Sequence, residues 1–506
     1  MSNYAIGIGG TGAKCLEALS HMCAAGLLPN ADNGGLYMVF VDPDKANGNL
    51  ERSNITVKQY NNVKKINFGN SPLFRTNIEI AVPAIWSPFE SIQTPMLDDY
   101  FSKSTLGKGY QQLFDVLYSK KEQQTSLDKG FRGHPSIGAA VMAHSIKFGE
   151  REPWITFKAK LEQDISSGDA RIFLFGSIFG GTGASGLPTI TQLILNVLKD
   201  LGVGAQATNF KIGASLMLPY FSFTSDDVDS ELKARTEEFL VNSQASLKYY
   251  CQQIGDSPTH SLNFDSLYLL GCQSLQSYTK DKTSLGGAHQ KNNPHYVELY
   301  AALAALDFYR KPLPKFKENP TGHIVNLIAR SESPLSWQDL PDVPGVKNLK
   351  EDLGQMAKFS FAYLSEFLPV LKKIKSSGTG NQEAWYVDYF ERKLGKKTLD
   401  DIWPKLTSLQ VCCSEYLTWF SALHTEDVNL LEVSSFSNQN PQDPQLLTFD
   451  RFNKGRFPQL VSPAVENGNK GNLFDVINAL SKNEKQDGRA CEVGNFAQAL
   501  YNACSV

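Results

Sequence analysis

The sequence predicts an α/β fold: a Rossmann-type parallel sheet with helices on both faces, followed by a mainly helical C-terminal domain. Three observations support this. The chain opens on an apolar run, a glycine-rich bend, a helical stretch and a second apolar run, which is the order of a βαβ unit. A later apolar run, Ala170–Phe175, passes straight into another glycine-rich bend, GSIFGGTGASG at 176–186. Beyond residue 346 the strand-like runs give way to helical patterns such as LKEDLGQMAKFSFAYLSEFLPVLKKIK.

Taken in order, Tyr4–Ile8 is a short strand that its glycines end, and Ala13–Cys23 has the composition of a helix packed on a sheet. Leu36–Val41 (LYMVFV) is a second buried strand, closed by Asp42-Pro43-Asp44. Residues 45–129 carry aromatic and proline-containing patches and read as an insertion without an assigned structure. Ser136–Asp164 has a helical pattern, Ala170–Phe175 is the third strand, and Pro188–Lys199 the helix after the second bend. Ile212–Leu218 and Phe264–Gly271 are further strands, separated by a long helix over Asp229–Gln253. His295–Arg310 is apolar on most of its faces and so reads as a buried helix. The organisation is an α/β domain over 1–310, a connecting segment over 311–345, and a mainly helical C-terminal domain over 346–506.

Composition narrows the function classes. With 506 residues, 42% hydrophobic and 20% charged, this is an ordinary globular chain of more than one domain. A formal net charge of −3 argues against a surface that coats nucleic acid. The eight cysteines and eight histidines show no metal-ligand spacing, and the cysteines read as reduced thiols. No apolar stretch approaches a membrane span, and the N-terminus lacks a secretory pattern, so the expected location is the cytoplasm.

The two glycine bends share one physical logic. Each follows a buried strand and opens a helix, whose first N–H groups and positive dipole end favour an anion. Glycine lets a ligand approach without a Cβ in the way. Gly7-Ile8-Gly9-Gly10-Thr11-Gly12 satisfies GxGxxG, with Asp42 where a dinucleotide enzyme places its ribose acid. That leaves an NAD(P)-dependent oxidoreductase as one reading. A second glycine cradle on a later strand is unexplained by it, and suits a triphosphate held between two loops. Neither bend matches GxxxxGK[ST], so a Walker-type loop is excluded.

Gly180-Gly181-Thr182-Gly183-Ala184-Ser185-Gly186 resembles the tubulin/FtsZ signature GGGTGTG, and FGGTGASG is closest to a divergent bacterial tubulin-like group. Other loops fall in the same order over roughly residues 1–310. IGIGGTGAKC, with Gly9, Gly10, Thr11, Gly12 and Lys14, resembles the first phosphate loop, and VDPD at 41–44 the second. GFRGHPSIG at 130–138, with Gly133, His134 and Gly138, resembles the loop that covers the γ-phosphate. Glu231 and Arg235 repeat a pair that lies at the ribose, and His295–Arg310 stands for the central helix, with Asn293 and Tyr296 in place of the usual base-reading residue. Phe179 departs from the family by replacing a glycine.

The resemblance implies GTP or GDP with Mg²⁺, head-to-tail self-association into an oligomer or filament, and GTPase activity. It also implies that Asp339 and Asp342, spaced as DxxD, polarise water on a neighbouring subunit's nucleotide. The other reading of these two acids is that they are loop residues beside prolines. Asp42 and Asp44 read equally as strand-end turn formers, Glu231/Arg235 as an i,i+4 surface pair, and His134 as an incidental loop residue. A non-hydrolysing scaffold in a multi-protein bacterial system such as phage defence, with protein partners at the C-terminal domain, is the alternative function.

Overall fold

The computed structural model describes residues 2–28, 34–89, 96–127, 130–131, 134–147, 150–202, 210–223, 236–254, 264–272, 275–278, 287–311, 324–328, 335–377, 383–391, 398–424, 428–431, 453–461, 471–482 and 493–504. Its centre is a parallel sheet of β1 (Ser2–Ile8), β2 (Leu36–Val41), β3 (Ile78–Trp86), β4 (Ala170–Ser177), β5 (Phe210–Met217), β7 (Ser266–Leu270) and β9 (Ile324–Ile328), in the order β3-β2-β1-β4-β5-β7-β9. β6 (Phe221–Phe223) and β8 (Gln276–Tyr278) form a separate parallel pair. β1, β2 and β4 are buried almost end to end, as expected of strands covered on both faces. The α/β class and the mainly helical C-terminal region expected from the sequence are both present.

Helices flank both faces. On one lie α1 (Gly9–Ala24), α2 (Gly48–Lys64) and α8 (Tyr296–Arg310); on the other lie α4 (Pro135–Ser145), α5 (Trp154–Ser167) and α6 (Gly181–Asp200). α3 (Lys108–Leu117) and α7 (Thr236–Ile254) complete the first 310 residues. The chain turns back on itself in the sheet between β1 and β4: strands 2 and 3 lie to one side, strands 4, 5, 7 and 9 to the other. In open α/β sheets such a switch point is where the two flanking loops part and leave a crevice for ligand.

Several boundaries differ from the sequence reading, for identifiable reasons. α6 begins at Gly181, seven residues before Pro188, so the glycine motif is itself the first two turns of the helix. Proline at 188 is tolerated there without ending it. The helical pattern of 136–164 is two helices, α4 and α5, parted by the segment that holds Pro153. Within 45–129, α2 and β3 are parts of the central layers, and β3 extends the sheet by pairing with β2. β9, from the connecting segment, forms the opposite edge on β7.

α8 is apolar on most of its faces because nearly all of it is covered. Leu299, Leu303 and Leu306 have no exposed surface, and each contributes roughly 1.5–3 kcal/mol by leaving water. The hydrophobic core of α1, α2 and α8 runs without a break into α9 (Leu349–Ala362), α10 (Leu368–Ser377), α11 (Leu399–Ala422), α12 (Leu473–Lys482) and α13 (Val493–Ala503). A π-helical turn, Tyr363–Phe367, joins α9 to α10. At the seam, His21 of α1 stacks on Trp419 of α11 with ring centroids 4.8 Å apart. Among the described residues no helix is long and apolar enough to cross a membrane, and the seven described cysteines form no disulfide.

Candidate anion site between two glycine turns

β1 and β4 are neighbours with Gly7 opposite Phe175, so the turns that follow them meet at the switch point. Gly9 has φ +74°, a left-handed conformation that L side chains rarely adopt. A Cβ added there would lie 3.4 Å from Thr182 Cβ and 3.7 Å from the Gly183 nitrogen, so the two turns lie close, with room for little more than a methyl group between them. Gly12 lets α1 pass over the end of β4, since its Cβ would sit 2.6 Å from the Phe175 carbonyl oxygen. Gly183 allows the same closeness between α6 and the Ser177 backbone.

The two helices that start here are uncapped. Neither Ile8, before α1, nor Gly180, before α6, supplies a side-chain hydrogen bond to the first turn. The first helical bond of α6 runs from the Ala184 nitrogen to the Gly180 carbonyl at 3.1 Å, so the N–H groups of Gly181, Thr182 and Gly183 precede any intrahelical partner. Gly10, Thr11, Gly180 and Thr182 are the partly exposed residues of the two turns. Two positive dipole ends with open donors therefore face one crevice, an arrangement that favours a polyanion. Ser185, also expected at the ligand, instead donates to the Gly181 carbonyl at 2.7 Å and fills the space beside Gly138. Ala184 and Gly186 face inward; a Cβ on Gly186 would lie 2.5 Å from Ile8.

The third loop arrives from the α4 side. Gly130, with φ +82°, lies 3.7 Å (from its notional Cβ) from Thr182 Oγ1 and borders Pro43. His134 precedes α4 and has its Nδ1 3.5 Å from Glu122, which draws the ring toward that carboxylate. Gly133 lies outside the described residues, as do Glu231 and Arg235.

Asp42 ends β2, one residue beyond Val41, which pairs with Ile8. It is 3% exposed, and its Oδ1 accepts from the Asp44 nitrogen at 2.9 Å. Burial, reinforced by the charge of Asp44, pushes its carboxyl up to about 8. Asp44 itself organises the turn: it accepts from the Gly287 and Ala46 nitrogens at 2.6 and 3.1 Å.

Lys14 occupies a different place from the one its motif suggests. Its ammonium is buried in an ion pair with Glu298 of α8 and donates to the Asn293 carbonyl at 3.1 Å. The Tyr220 hydroxyl donates to the same Glu298 oxygen at 2.6 Å, while the other oxygen caps α8 at the His295 nitrogen. Burial, with the Lys14 charge adding to it, holds the His295 imidazole down to about 3 and hence neutral. Lys14 thus ties α1 to α8 instead of reaching along the crevice.

A set of polar residues that sequence reasoning missed braces this end of α8. Asn47 donates to Gln290 at 2.6 Å, and Asn49 and Asn292 exchange two hydrogen bonds of 3.2 and 2.9 Å. Arg52 grips Glu17 with two nitrogens and donates to the Asn292 carbonyl at 2.7 Å. Their spacing along α2, at 49 and 52, carried the only sequence signal, and no pattern pointed to partners 240 residues away. Asn293 is left partly exposed next to Lys14, and Tyr296 is buried with its ring 4.4 Å from that of His295.

Phe179 has a packing reason. It is 2% exposed and lies against Phe239, Phe221 and Tyr220, with centroids at 5.0, 5.5 and 6.2 Å. The turn is held there by an aromatic plug in place of glycine freedom.

Asp339 and Asp342 are both exposed. The Asp339 carboxylate accepts from the Ser336 nitrogen at 2.7 Å and the Ser336 hydroxyl at 2.8 Å, closing a capping box, and its carbonyl accepts from Tyr300 at 2.7 Å. The segment then follows α8 to Arg310, which donates to the Pro344 carbonyl at 2.9 Å. Among the described residues no group of three or more His, Cys, Asp or Glu could hold a metal ion.

No protein-family model matches the chain, and no curated protein matches it. Among solved structures, CetZ2 from Haloferax volcanii, as a GTPγS-bound protofilament, is similar at 15% identity with a TM-score of 0.28. The match covers 60% of this chain and 58% of that one, so the chain spans under two thirds of the solved relative's length.

Proposed function

We propose that this protein binds a nucleoside triphosphate, GTP by the sequence resemblance, across the two glycine turns. The observation that carries the reading is the closeness of Gly9 to Thr182 and Gly183, which sets two uncapped helix N-termini side by side at the switch point. One such terminus suits a single phosphate; two, on opposite faces of the sheet, suit a chain of phosphates. The N–H groups of Gly9–Gly12 and Gly181–Gly183 and the hydroxyls of Thr11 and Thr182 are the donors in this reading. Asn293 and Tyr296 stand on the α8 side for the base.

Mg²⁺ brought in on the phosphates would be held by Asp42, and it would neutralise charge on the triphosphate. Asp42 fits that role: a buried carboxyl with no cation beside it gains from one. Head-to-tail self-association with neighbour-completed hydrolysis is the remainder of the proposal and rests on the resemblance.

A second reading, a nucleotide-holding scaffold without turnover, is favoured by the capping box of Asp339, which engages the carboxylate that hydrolysis would need. GTP turnover measured against protein concentration tests both. Neighbour-completed hydrolysis gives a specific rate that rises with assembly and falls at least tenfold in Asp339→Ala or Asp342→Ala. A specific rate that is flat across assembly, or that survives both substitutions, removes the acids from catalysis and leaves the scaffold reading.

A further inference from the structure

Beside the second glycine turn, whose Ala184 and Ser185 form part of its wall, a cleft of about 660 Å³ opens between α4, α6 and α7. That volume falls within the range of small-molecule sites. Ala139, Pro188, Leu193 and Ala245 form its apolar walls, and the Tyr249 ring stands at the rim, 41% exposed. None of the residues lining it carries a charge.

Most of its polar side chains already have partners. Asn242 and Ser246 fasten α7 to the β4–α6 turn by donating to the Phe179 and Ile178 carbonyls at 3.2 and 2.8 Å. Thr189 donates to the Ser185 carbonyl at 2.7 Å. Two lining residues differ: the Tyr250 hydroxyl and the Gln192 carboxamide oxygen are closed off from water and have no hydrogen-bond partner among the described residues, while the Gln192 amide nitrogen donates to Asn196 at 3.1 Å. Such atoms are uncommon in folded proteins, and a missing partner costs about 1–3 kcal/mol. One is a donor that burial keeps protonated, and the other is an acceptor.

We propose that this cleft binds an uncharged, flat, mainly apolar small molecule bearing a carboxamide-like group. Its carbonyl accepts from Tyr250 and its N–H donates to Gln192 once both side chains, closed off from water in this structure, turn into the cleft, the Gln192 turn releasing its 3.1 Å bond to Asn196, and its ring lies against Tyr249. A charged ligand would lose hydration against walls that offer no counter-charge, which also separates this cleft from a phosphate site. The inference does not depend on nucleotide binding.

Ligand-observed NMR on the full chain tests it with benzamide and its charged isostere benzoate. Benzamide binds with Kd of about 1 mM, the strength usual for so few atoms, and benzoate at least tenfold more weakly. Ala245→Trp and Ala143→Trp, both at exposed positions, block the cleft and abolish the benzamide signal. Tyr250→Phe removes the donor while leaving the ring, and weakens benzamide three- to tenfold. The inference is overturned by no benzamide binding, by equal binding of benzoate, or by binding that survives either tryptophan in a folded variant. Displacement of benzamide by GTP would also overturn it, by merging the cleft with the glycine turns.

Discussion

Gly9 and Gly183 separate the function of the site from its folding. At Gly9 a methyl group meets Thr182 at ordinary contact distance, so the cost of Gly9→Ala is backbone strain, about 1–2 kcal/mol for a left-handed residue. At Gly183 a methyl group meets the Ser177 backbone, which cannot move aside. Gly9→Ala therefore stays folded and loses at least tenfold in GTP affinity by calorimetry, because the strained turn no longer presents its N–H groups. Unchanged affinity in the folded variant would remove this turn from the site.

Asp42 gives the residue scale a pH signature. Its folded pKa of about 8 lies above the value of an unfolded aspartate, so between about pH 4 and 8 the folded state holds one more proton than the unfolded state. Its contribution to stability is complete below pH 4 and is lost as pH rises through 8. Asp42→Asn should raise the Tm of the ligand-free protein at pH 8.5, raise it much less at pH 5, and weaken Mg²⁺-dependent nucleotide binding. An equal shift at both pH values would show that the carboxyl is ionised throughout.

At the scale of elements, the join between α1 and α8 is the part to break. Lys14 and Glu298 are 3% and 1% exposed, and removing one partner leaves an uncompensated buried charge, a loss of about 3–5 kcal/mol. Glu298→Gln should lower the urea midpoint accordingly, and Lys14→Met in the same chain should recover most of the loss. Failure of the second substitution to rescue would mean that Tyr220 and the α8 cap, not the ion pair, hold the join. The elements themselves were legible where one force dominated. LYMVFV reads as a buried strand, and 295–310, apolar on most of its faces, as a buried helix. The start of α6 was not legible, because glycines that read as a loop by propensity are helical here through close packing on Ser177 and Ile8. Nor was the role of Lys14, since a lysine after a glycine turn suggests phosphate until the chain's distant Glu298 is brought to it.

For the whole molecule, the sheet order places both motifs where a doubly wound fold keeps its ligand crevice, which sequence order alone could not supply. Collinear loops suggested convergence; the adjacency of β1 and β4 accounts for it. The C-terminal helices were readable as helices but not as neighbours of α1 and α2, because the contacts of His21 with Tyr416 and Trp419 join positions about 400 residues apart without any local pattern. Their core is continuous with the layer that carries the first glycine turn, so the two halves of the chain share the surroundings of the site. The most direct test of the central claim is the nucleotide released when the purified protein is denatured, separated by anion-exchange chromatography and quantified per chain. The two-turn crevice predicts close to one guanine nucleotide per chain in the wild type and a marked loss in Gly9→Ala. Release of NAD(P), or no nucleotide from a protein that also fails to bind added GTP, would contradict it.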